Sequence, residues 1–231
     1  MSNFKTVIFE ATIGAGKSTS SKELADILGN DTLYYSEPTN ENNENPYLEK
    51  YYKDSARWAY TMQTHLLAKR FKAHMNAQWW VMNGKGHAIL DRSYFGDVSF
   101  AYLQKEFGYL SSEEFETYKA LYQEMTSFVL YPNICVYLDC PVDVTIERIK
   151  KRSRNCECNI PRAYLESLEI NIKKMLFNLS KKGTEIIELD WSENLDSEEL
   201  RKPKLIELAN KINSTVTLRE FVEDDYTSRK T

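Results

Sequence analysis

The glycine-rich segment Gly14-Ala15-Gly16-Lys17-Ser18-Thr19 constrains this chain more than any other feature, because it lies between a predicted strand and a predicted helix. Residues 4–10 are apolar and β-branched, and residues 17–28 carry apolar side chains at helical spacing. Glycines let backbone N–H groups turn inward, the following helix presents its positive end, Lys17 adds a charge, and Ser18 can ligate Mg²⁺. The segment therefore predicts a P-loop that holds a polyphosphate.

One position departs from the usual P-loop pattern. Ala11 stands where the first glycine is expected, which indicates either an altered turn or a chance match. A plain helix N-terminus with a glycine-rich entry would explain the glycines. It would leave the sequence Lys17-Ser18-Thr19 unexplained, so we favour the P-loop.

Strands alternate with helices along the rest of the chain. Strands are predicted at 4–10, 32–35, 87–90, 134–138 and 184–189, and helices at 17–28, 46–82, 94–107, 112–130, 141–151, 161–180 and 198–212. Parallel neighbours need crossover connections, so this alternation predicts an α/β fold in which helices cover both faces of a parallel sheet.

Composition narrows the class of protein. A chain of 231 residues that is 42% hydrophobic favours one domain, here residues 1–216, followed by a polar tail at 217–231. The formal net charge of −4 is a poor match to a polynucleotide backbone, so no nucleic-acid partner is expected. We see neither a signal peptide nor a membrane span, and therefore expect a cytoplasmic protein with reduced cysteines. Cys156 and Cys158 lack a second pair that would complete a zinc site.

Acidic residues follow two of the predicted strands. Glu37-Pro38 comes after the second strand and Asp91-Arg92-Ser93 after the third. Ligands of open α/β sheets bind at the carboxyl ends of strands, where a carboxylate can deprotonate a hydroxyl and an arginine can hold developing negative charge. Taken alone, a Glu before Pro is also typical of a turn, and an Asp-Arg pair of a surface ion pair.

Two further groups of polar residues are candidates. Gln63 and Arg70 share one face of a helix rich in aromatic residues, and a glutamine amide suits bidentate hydrogen bonding to a nucleobase. An amphipathic core helix would explain the same pattern. Arg148, Arg152 and Arg154 end another helix and either form a lid over a triphosphate or complement the helix dipole.

Taken in order, these residues resemble the deoxyribonucleoside kinase family, which contains deoxycytidine, deoxyguanosine and deoxyadenosine kinases. The resemblance extends from Phe4 to about residue 194. It implies ATP as the phosphoryl donor, Glu37 as the base acting on a nucleoside 5′-hydroxyl, Arg92 near that oxygen, and Mg²⁺ at Ser18 and Asp91. Tyr52 and Glu157 are similar to the residues that bind the sugar 3′-hydroxyl.

The same resemblance assigns the remaining site residues. Gln63 would read the base, Arg70 and Asp97 would form an ion pair beside it, and Trp58 and Phe100 would be its stacking walls. Lys17 and the three lid arginines would contact the phosphates, with Asn194 and Leu195 beside the adenine of ATP. The family also implies a P-loop kinase fold with a five-stranded parallel sheet, an arginine-rich lid and a homodimer.

The sequence narrows the choice of nucleoside substrate without deciding it. Asp91 and the interval from Asp97 to Phe100 look like bacterial deoxyadenosine kinases, whereas Ala11-Thr12 departs from the usual Gly-Asn. We expect deoxyadenosine to be favoured, with deoxyguanosine or deoxycytidine possible and thymidine poor. The alternatives are a nucleoside monophosphate kinase of the thymidylate kinase type, and a regulatory protein that only binds ATP.

Overall fold

The structure is a computed structural model that describes residues 4–39, 44–152, 160–193, 195 and 197–215. Its strands are β1 (Thr6–Glu10), β2 (Leu33–Tyr35), β3 (Ala88–Asp91), β4 (Ile134–Asp139) and β5 (Glu185–Asp190). Its helices are α1 (Lys17–Leu28), α2 (Leu48–Lys53), α3 (Ser55–Met82), α4 (Tyr94–Glu106), α5 (Ser112–Thr126), α6 (Val142–Arg152), α7 (Arg162–Lys181) and α8 (Glu198–Ser214).

All five strands belong to one parallel sheet, in the order β2-β3-β1-β4-β5. β1 lies in the centre, between β3 on one side and β4 on the other. After β1 the chain crosses to the edge strand β2 and returns to β3, from which it crosses to β4 and β5 on the other side. The connections therefore leave β1 and β3 in opposite directions, and the carboxyl ends of these two strands form a topological switch point, where open α/β sheets bind ligands. The predicted α/β fold and five-stranded parallel sheet are confirmed.

Alternating side chains of the strands enter two hydrophobic layers. Ile8, Leu90 and Cys135 pack with α3, α4, α5 and α7 on one face, whereas Val7 and Ile89 pack with α1 and α8 on the other. Burial on both faces explains why the central strands read as continuous apolar runs. The sheet is therefore held rigidly beneath the loops at its carboxyl edge.

The long helix predicted at 46–82 is two helices, which is the main departure from the predicted elements. Asp54 interrupts it with extended backbone angles, φ −149° and ψ 81°, and its side chain accepts a hydrogen bond from the Arg57 N–H at 3.1 Å. Aspartate favours such N-cap positions because its carboxylate satisfies a free N–H of the first turn. The break directs α2, which carries Tyr51 and Tyr52, across the start of α3.

Two parts of the sequence-based description lie outside the described residues. The lid segment beyond α6, including Arg154 and Glu157, is one, and the tail at 217–231 is the other. Across the described ranges, none of the helices has the length and apolar character that crossing a bilayer requires.

Candidate active site

The loop between β1 and α1 has the conformation expected of a P-loop. Gly14 and Gly16 have φ angles of 84° and 91°, left-handed values that glycine adopts without strain. A side chain at Gly14 would also place its Cβ 2.6 Å from Cγ1 of Ile149 on α6. α1 begins at Lys17 with Gly16 as its N-cap, so the free N–H groups of its first turn lie at the loop. This arrangement favours an anion there.

Ala11 does not need the conformational freedom of glycine. Among the residues that the structure describes, Arg92 is the only non-glycine residue with positive φ, so Ala11 has an ordinary backbone conformation. Its methyl group is buried, and its carbonyl accepts a hydrogen bond from Nη2 of Arg92 at 3.1 Å. The missing first glycine is therefore compatible with the loop.

Lys17 connects the P-loop to the ends of the two strands on one side of β1. Its Nζ donates to Oε2 of Glu37 at 3.0 Å and to Oδ1 of Asp91. The lysine is buried, and both carboxylates follow or end a strand at the same edge of the sheet. The P-loop lysine and the two carboxylates, which the sequence places after different strands, thus meet at one point.

Glu37 is the centre of the charge cluster. Besides Lys17, its carboxylate accepts hydrogen bonds from Nη2 of Arg70 and Nε of Arg92, both at 2.7 Å. Burial opposes ionisation of Glu37, but the positive charges of Arg92, Lys17 and Arg70 outweigh it and lower the pKa of this carboxyl well below its ordinary value. Glu37 is therefore a carboxylate at neutral pH and can accept a hydrogen bond from a hydroxyl group.

Arg92 is held in a fixed orientation immediately after β3. Its backbone is left-handed, with φ 67°, a conformation that costs a non-glycine residue roughly 1–2 kcal/mol. Nη1 donates to Oε2 of Glu10 at 3.3 Å, and the guanidinium lies 4.6 Å from the ring centre of Phe100. Together with the bonds to Ala11 and Glu37, these contacts offset the strain of the Arg92 backbone and hold its guanidinium beside the Glu37 carboxylate.

A second polar cluster lies behind the first, between α3, α4 and α5. Asp97 is fully buried, and its carboxylate accepts hydrogen bonds from Arg70, from Gln63 Nε2 at 2.6 Å and from the Tyr118 hydroxyl at 2.6 Å. Arg70 bridges the two clusters, since its Nη2 reaches Glu37. The predicted Arg70–Asp97 ion pair is present in the structure.

These residues surround a cavity of about 700 Å³ at the carboxyl edge of the sheet. The predicted residues that line it come from the P-loop, from the ends of β2 and β3, and from helices α2, α3, α4 and α6: Gly14, Ala15, Gly16, Lys17, Ser18, Thr19, Glu37, Tyr52, Gln63, Arg70, Asp91, Arg92, Phe100 and Arg148. Arg148 donates to the carbonyls of Ala15 at 3.1 Å and Glu193 at 2.7 Å. One cavity is thus lined both by residues predicted to bind the phosphates and by residues predicted to bind the nucleoside.

Several predicted residues do not line this cavity. Trp58 stacks on Tyr47 at 5.9 Å, Asp97 lies behind Gln63 and Arg70, and Leu195 is buried against the α1 and α8 face of the sheet. The side chain of Arg152, together with Arg154, Glu157 and Asn194, lies outside the described residues. The roles assigned to all of these residues stay predictions.

The structure also adds site residues that the sequence did not indicate. Tyr51 and Tyr164 line the cavity, and their hydroxyl oxygens lie 3.1 Å apart. Glu10 is fully buried and accepts from the Ser93 N–H at 2.9 Å and from its hydroxyl at 2.6 Å. Burial raises the pKa of Glu10, although Arg92 and Ser93 act in the opposite direction. Glu10 ends β1, so the strand-end signal that indicated Glu37 and Asp91 would have found it too.

The fold and the site together define a P-loop kinase. A glycine-rich loop leads into a helix N-terminus at the switch point of a parallel sheet, and a carboxylate surrounded by cations lies beside it. Such sites bind a phosphoryl donor and an acceptor hydroxyl side by side.

Comparison with known proteins gives the family. Residues 7–214 match the family model described as deoxynucleoside kinase, and this chain belongs to that family. It is 36% identical to a deoxyguanosine kinase of Dictyostelium discoideum over 193 residues, which are 83% of this chain and 66% of the relative. It is 31% identical to a deoxyadenosine kinase of the same organism over 84% of this chain and 75% of the relative. A deoxyadenosine/deoxycytidine kinase of Bacillus subtilis (strain 168) is 34% identical over 68% of this chain and 70% of the relative.

Solved structures agree with this assignment. The structure of deoxyadenosine kinase from M. mycoides with the products dCMP and a flexible dCDP bound has a TM-score of 0.73 and 28% identity. It covers 91% of this chain and 100% of the neighbour. The same kinase with bound dATP has a TM-score of 0.71. The predicted family resemblance and P-loop kinase fold are confirmed, and the match favours a nucleoside kinase over the monophosphate kinase and the regulatory protein.

Proposed function

We propose that this protein transfers the γ-phosphoryl group of ATP to the 5′-hydroxyl of a deoxynucleoside, as a nucleotide salvage enzyme. The observation that carries the proposal is the position of Glu37, a carboxylate at the wall of the cavity within hydrogen-bond distance of Lys17, Arg70 and Arg92. A carboxylate kept ionised in this way can orient the acceptor hydroxyl and take its proton.

The cations around Glu37 have a second role in the proposed reaction. Lys17 begins the P-loop helix and reaches the acceptor carboxylate, so it lies between the donor and acceptor halves of the cavity. Arg92 is fixed beside Glu37 by Glu10 and by the Ala11 carbonyl. Both positive charges are already in place to stabilise negative charge on the phosphoryl group during transfer.

Mg²⁺ fits the residues at this site. Ser18, which follows Lys17 in the chain, and Asp91, which accepts from Lys17, both line the cavity and offer hard oxygen ligands, which Mg²⁺ prefers. Mg²⁺ takes few protein ligands and completes its coordination with water and substrate phosphates, so two protein oxygens suffice. When bound, the ion would neutralise charge on the phosphates of ATP.

Deoxyadenosine is the favoured acceptor, with deoxyguanosine or deoxycytidine possible, since relatives are named for all three nucleosides. Gln63 Nε2 already donates to the carboxylate and the backbone carbonyl of Asp97, and its carbonyl oxygen accepts from Gln104, which leaves the second lone pair of that oxygen for a base. An acceptor at this position matches the amino group of adenine or cytosine, whereas guanine and thymine present an oxygen at the corresponding position.

A homodimer is part of the proposal. The paired helices α4 and α7 expose large apolar side chains, including Tyr102 at 47%, Ile170 at 56% and Phe177 at 59%. Exposed apolar side chains of this kind are typical of surfaces that a partner covers. Light scattering coupled to gel filtration should give a mass of about two chains, and a mass near the 27.0 kDa of one chain would contradict the dimer.

The reaction can be tested directly. Incubation with Mg²⁺ and ATP and each of the four deoxynucleosides, followed by chromatography, should yield a 5′-monophosphate, with deoxyadenosine converted fastest. Formation of a diphosphate from dTMP, with no product from any nucleoside, would select the monophosphate kinase instead.

The role of Glu37 can be tested in the same assay. Glu37→Gln should lower kcat by about 10²-fold or more, the contribution typical of a general base, while ATP still binds. Glu49→Gln, which changes an exposed carboxylate on α2, is the matched control and should leave kcat unchanged. Full turnover by Glu37→Gln would remove Glu37 from the mechanism.

A further inference from the structure

A buried glutamine outside the cavity wall controls the residue predicted to read the base. Gln104, on α4, is fully buried, and its Nε2 donates to Oε1 of Gln63 at 2.9 Å. Gln104 does not line the cavity, whereas Gln63 does. Gln104 therefore acts on a bound nucleoside only through residues that line the cavity, which are Gln63 and, through its hydroxyl, Tyr51.

The orientation of the Gln63 amide follows from its two neighbours. On one side the carboxylate of Asp97, paired with Arg70, can only accept, and it receives Gln63 Nε2 at 2.6 Å. On the other side Gln104 supplies a donor to Oε1. Reversing the Gln63 amide would place its oxygen against the Asp97 carboxylate and its nitrogen against the Gln104 nitrogen. Asp97 has only acceptors to offer, its carboxylate and its backbone carbonyl, so it fixes the nitrogen end of Gln63. The donor from Gln104, in the orientation that it has here, then supports the oxygen end.

Stability does not explain the presence of Gln104. Its own Oε1 is buried and has no hydrogen-bond partner within the described part of the chain. A buried acceptor without a partner destabilises a fold, and an apolar side chain of similar volume would remove that penalty. The Nε2 atom of Gln104 hydrogen-bonds Gln63, and the Gln104 amide also interacts with the Tyr51 hydroxyl.

We propose that Gln104 is a positioning residue for base selection, which holds Gln63 with its carbonyl oxygen available to the base. This inference rests on the proposed function, because it concerns the acceptor nucleoside of the same site. Gln63 then accepts a hydrogen bond from an amino group and opposes a base that presents a carbonyl oxygen at the same position. Without Gln104, the amide loses one of the two contacts that orient it.

The test compares two purine nucleosides with opposite hydrogen-bonding edges. 2′-Deoxyadenosine carries an amino group at position 6 and an acceptor nitrogen at position 1, whereas 2′-deoxyinosine carries an oxygen at position 6 and an N–H at position 1. The wild-type protein should show a kcat/KM at least about tenfold higher for deoxyadenosine, a difference of about 1.4 kcal/mol. Gln104→Met, which keeps the volume and removes the donor, should reduce that ratio by at least about fivefold and leave kcat with deoxyadenosine within about threefold.

The matched control is another buried glutamine. Gln78 donates to the Phe128 carbonyl at 3.1 Å and accepts from the Leu130 N–H at 2.8 Å, away from the cavity. Gln78→Met should leave the deoxyadenosine to deoxyinosine ratio at the wild-type value, even where it lowers stability. A structural role for Gln104 would move stability and total activity but not this ratio.

Three results would overturn the proposal. They are a wild-type ratio near one, an unchanged ratio in a folded Gln104→Met, and equal losses for both nucleosides. Gln104→Leu, a second apolar replacement that cannot donate, decides the matter if Gln104→Met does not fold, and failure of both to fold would assign Gln104 to stability. A wild-type protein inactive on every nucleoside would refute the proposed function, which is a distinguishable outcome.

Discussion

The contact between Gly96 and Glu10 leads to a sharp prediction, because it joins a buried backbone position to the carboxylate that holds Arg92. Gly96 lies in the first turn of α4. A Cβ at this position would lie 2.5 Å from Cδ of Glu10 and still closer to both carboxylate oxygens. Gly96→Ala therefore requires Glu10 to move.

The expected cost follows from what Glu10 holds. Its carboxylate accepts from the Ser93 N–H at 2.9 Å, from the Ser93 hydroxyl at 2.6 Å and from Arg92 at 3.3 Å. Overpacking of a buried site costs about 1–3 kcal/mol, and each displaced hydrogen bond about 1 kcal/mol more. Gly96→Ala should lower the free energy of unfolding by roughly 2–5 kcal/mol. It should also reduce kcat, because Arg92 loses an anchor.

Urea unfolding and steady-state kinetics measure both effects. Gly108→Ala is the control, since Gly108 has φ 72° and no atom within 4 Å of its added Cβ. That variant should lose about 1–2 kcal/mol through its left-handed backbone alone, with kcat unchanged.

A double-mutant cycle decides whether the steric argument is right. In a Glu10→Ala background the obstructing carboxylate is gone, and alanine is favoured over glycine in a helix by roughly 0.5–1 kcal/mol. Gly96→Ala should then be neutral or stabilising, so that the two substitutions are coupled by about 2 kcal/mol or more. An equal cost of Gly96→Ala in both backgrounds would refute the reasoning.

Three other predictions concern the donor side and the charge cluster. Arg148 donates to the Ala15 carbonyl of the P-loop, so it belongs to the ATP side of the cavity. Arg148→Ala should therefore raise the KM for ATP about tenfold, through loss of about 1.4 kcal/mol of binding, and leave the KM for the nucleoside unchanged. Equal rises of both KM values would contradict this. Removal of Mg²⁺ with EDTA should abolish phosphoryl transfer without preventing nucleoside binding, measured by calorimetry, since Ser18 and Asp91 lie on the phosphate side. The pKa of Glu37 is lowered from 4.5, so its contribution to stability is present above that pH and is lost as the pH falls toward the folded-state pKa. The difference in unfolding free energy between wild type and Glu37→Gln should accordingly be constant from pH 8 to about 5 and shrink below, and a difference that grows with acidification would show the opposite sign.

Much of the fold could be predicted because its signals are local. Buried parallel strands read as apolar runs, and the glycines at 14 and 16 mark a turn between strand and helix. The break at Asp54 was missed because aromatic residues stand at helical spacing on its two sides, at Tyr51 and Trp58, and the capping bond to Arg57 reveals the new start.

The carboxylates of the candidate site were predictable for a related reason. Glu37 and Asp91 follow or end strands, and parallel strands deliver their carboxyl ends to one edge of the sheet. Tyr164 gave no such signal, because it reaches Tyr51 from a helix 113 residues further along the chain.

The sequence by itself determined the P-loop, the edge of the sheet at which the site lies, and the residue types that meet there. Tertiary structure decided which way those residues present themselves. The two ends of the Gln63 amide are held by residues far away in the chain. Asp97, 34 residues away, accepts from its nitrogen, and Gln104, 41 residues away, donates to its oxygen. An amide in water has no fixed orientation, but a buried one must satisfy its neighbours, so the choice exists only once the helices have packed.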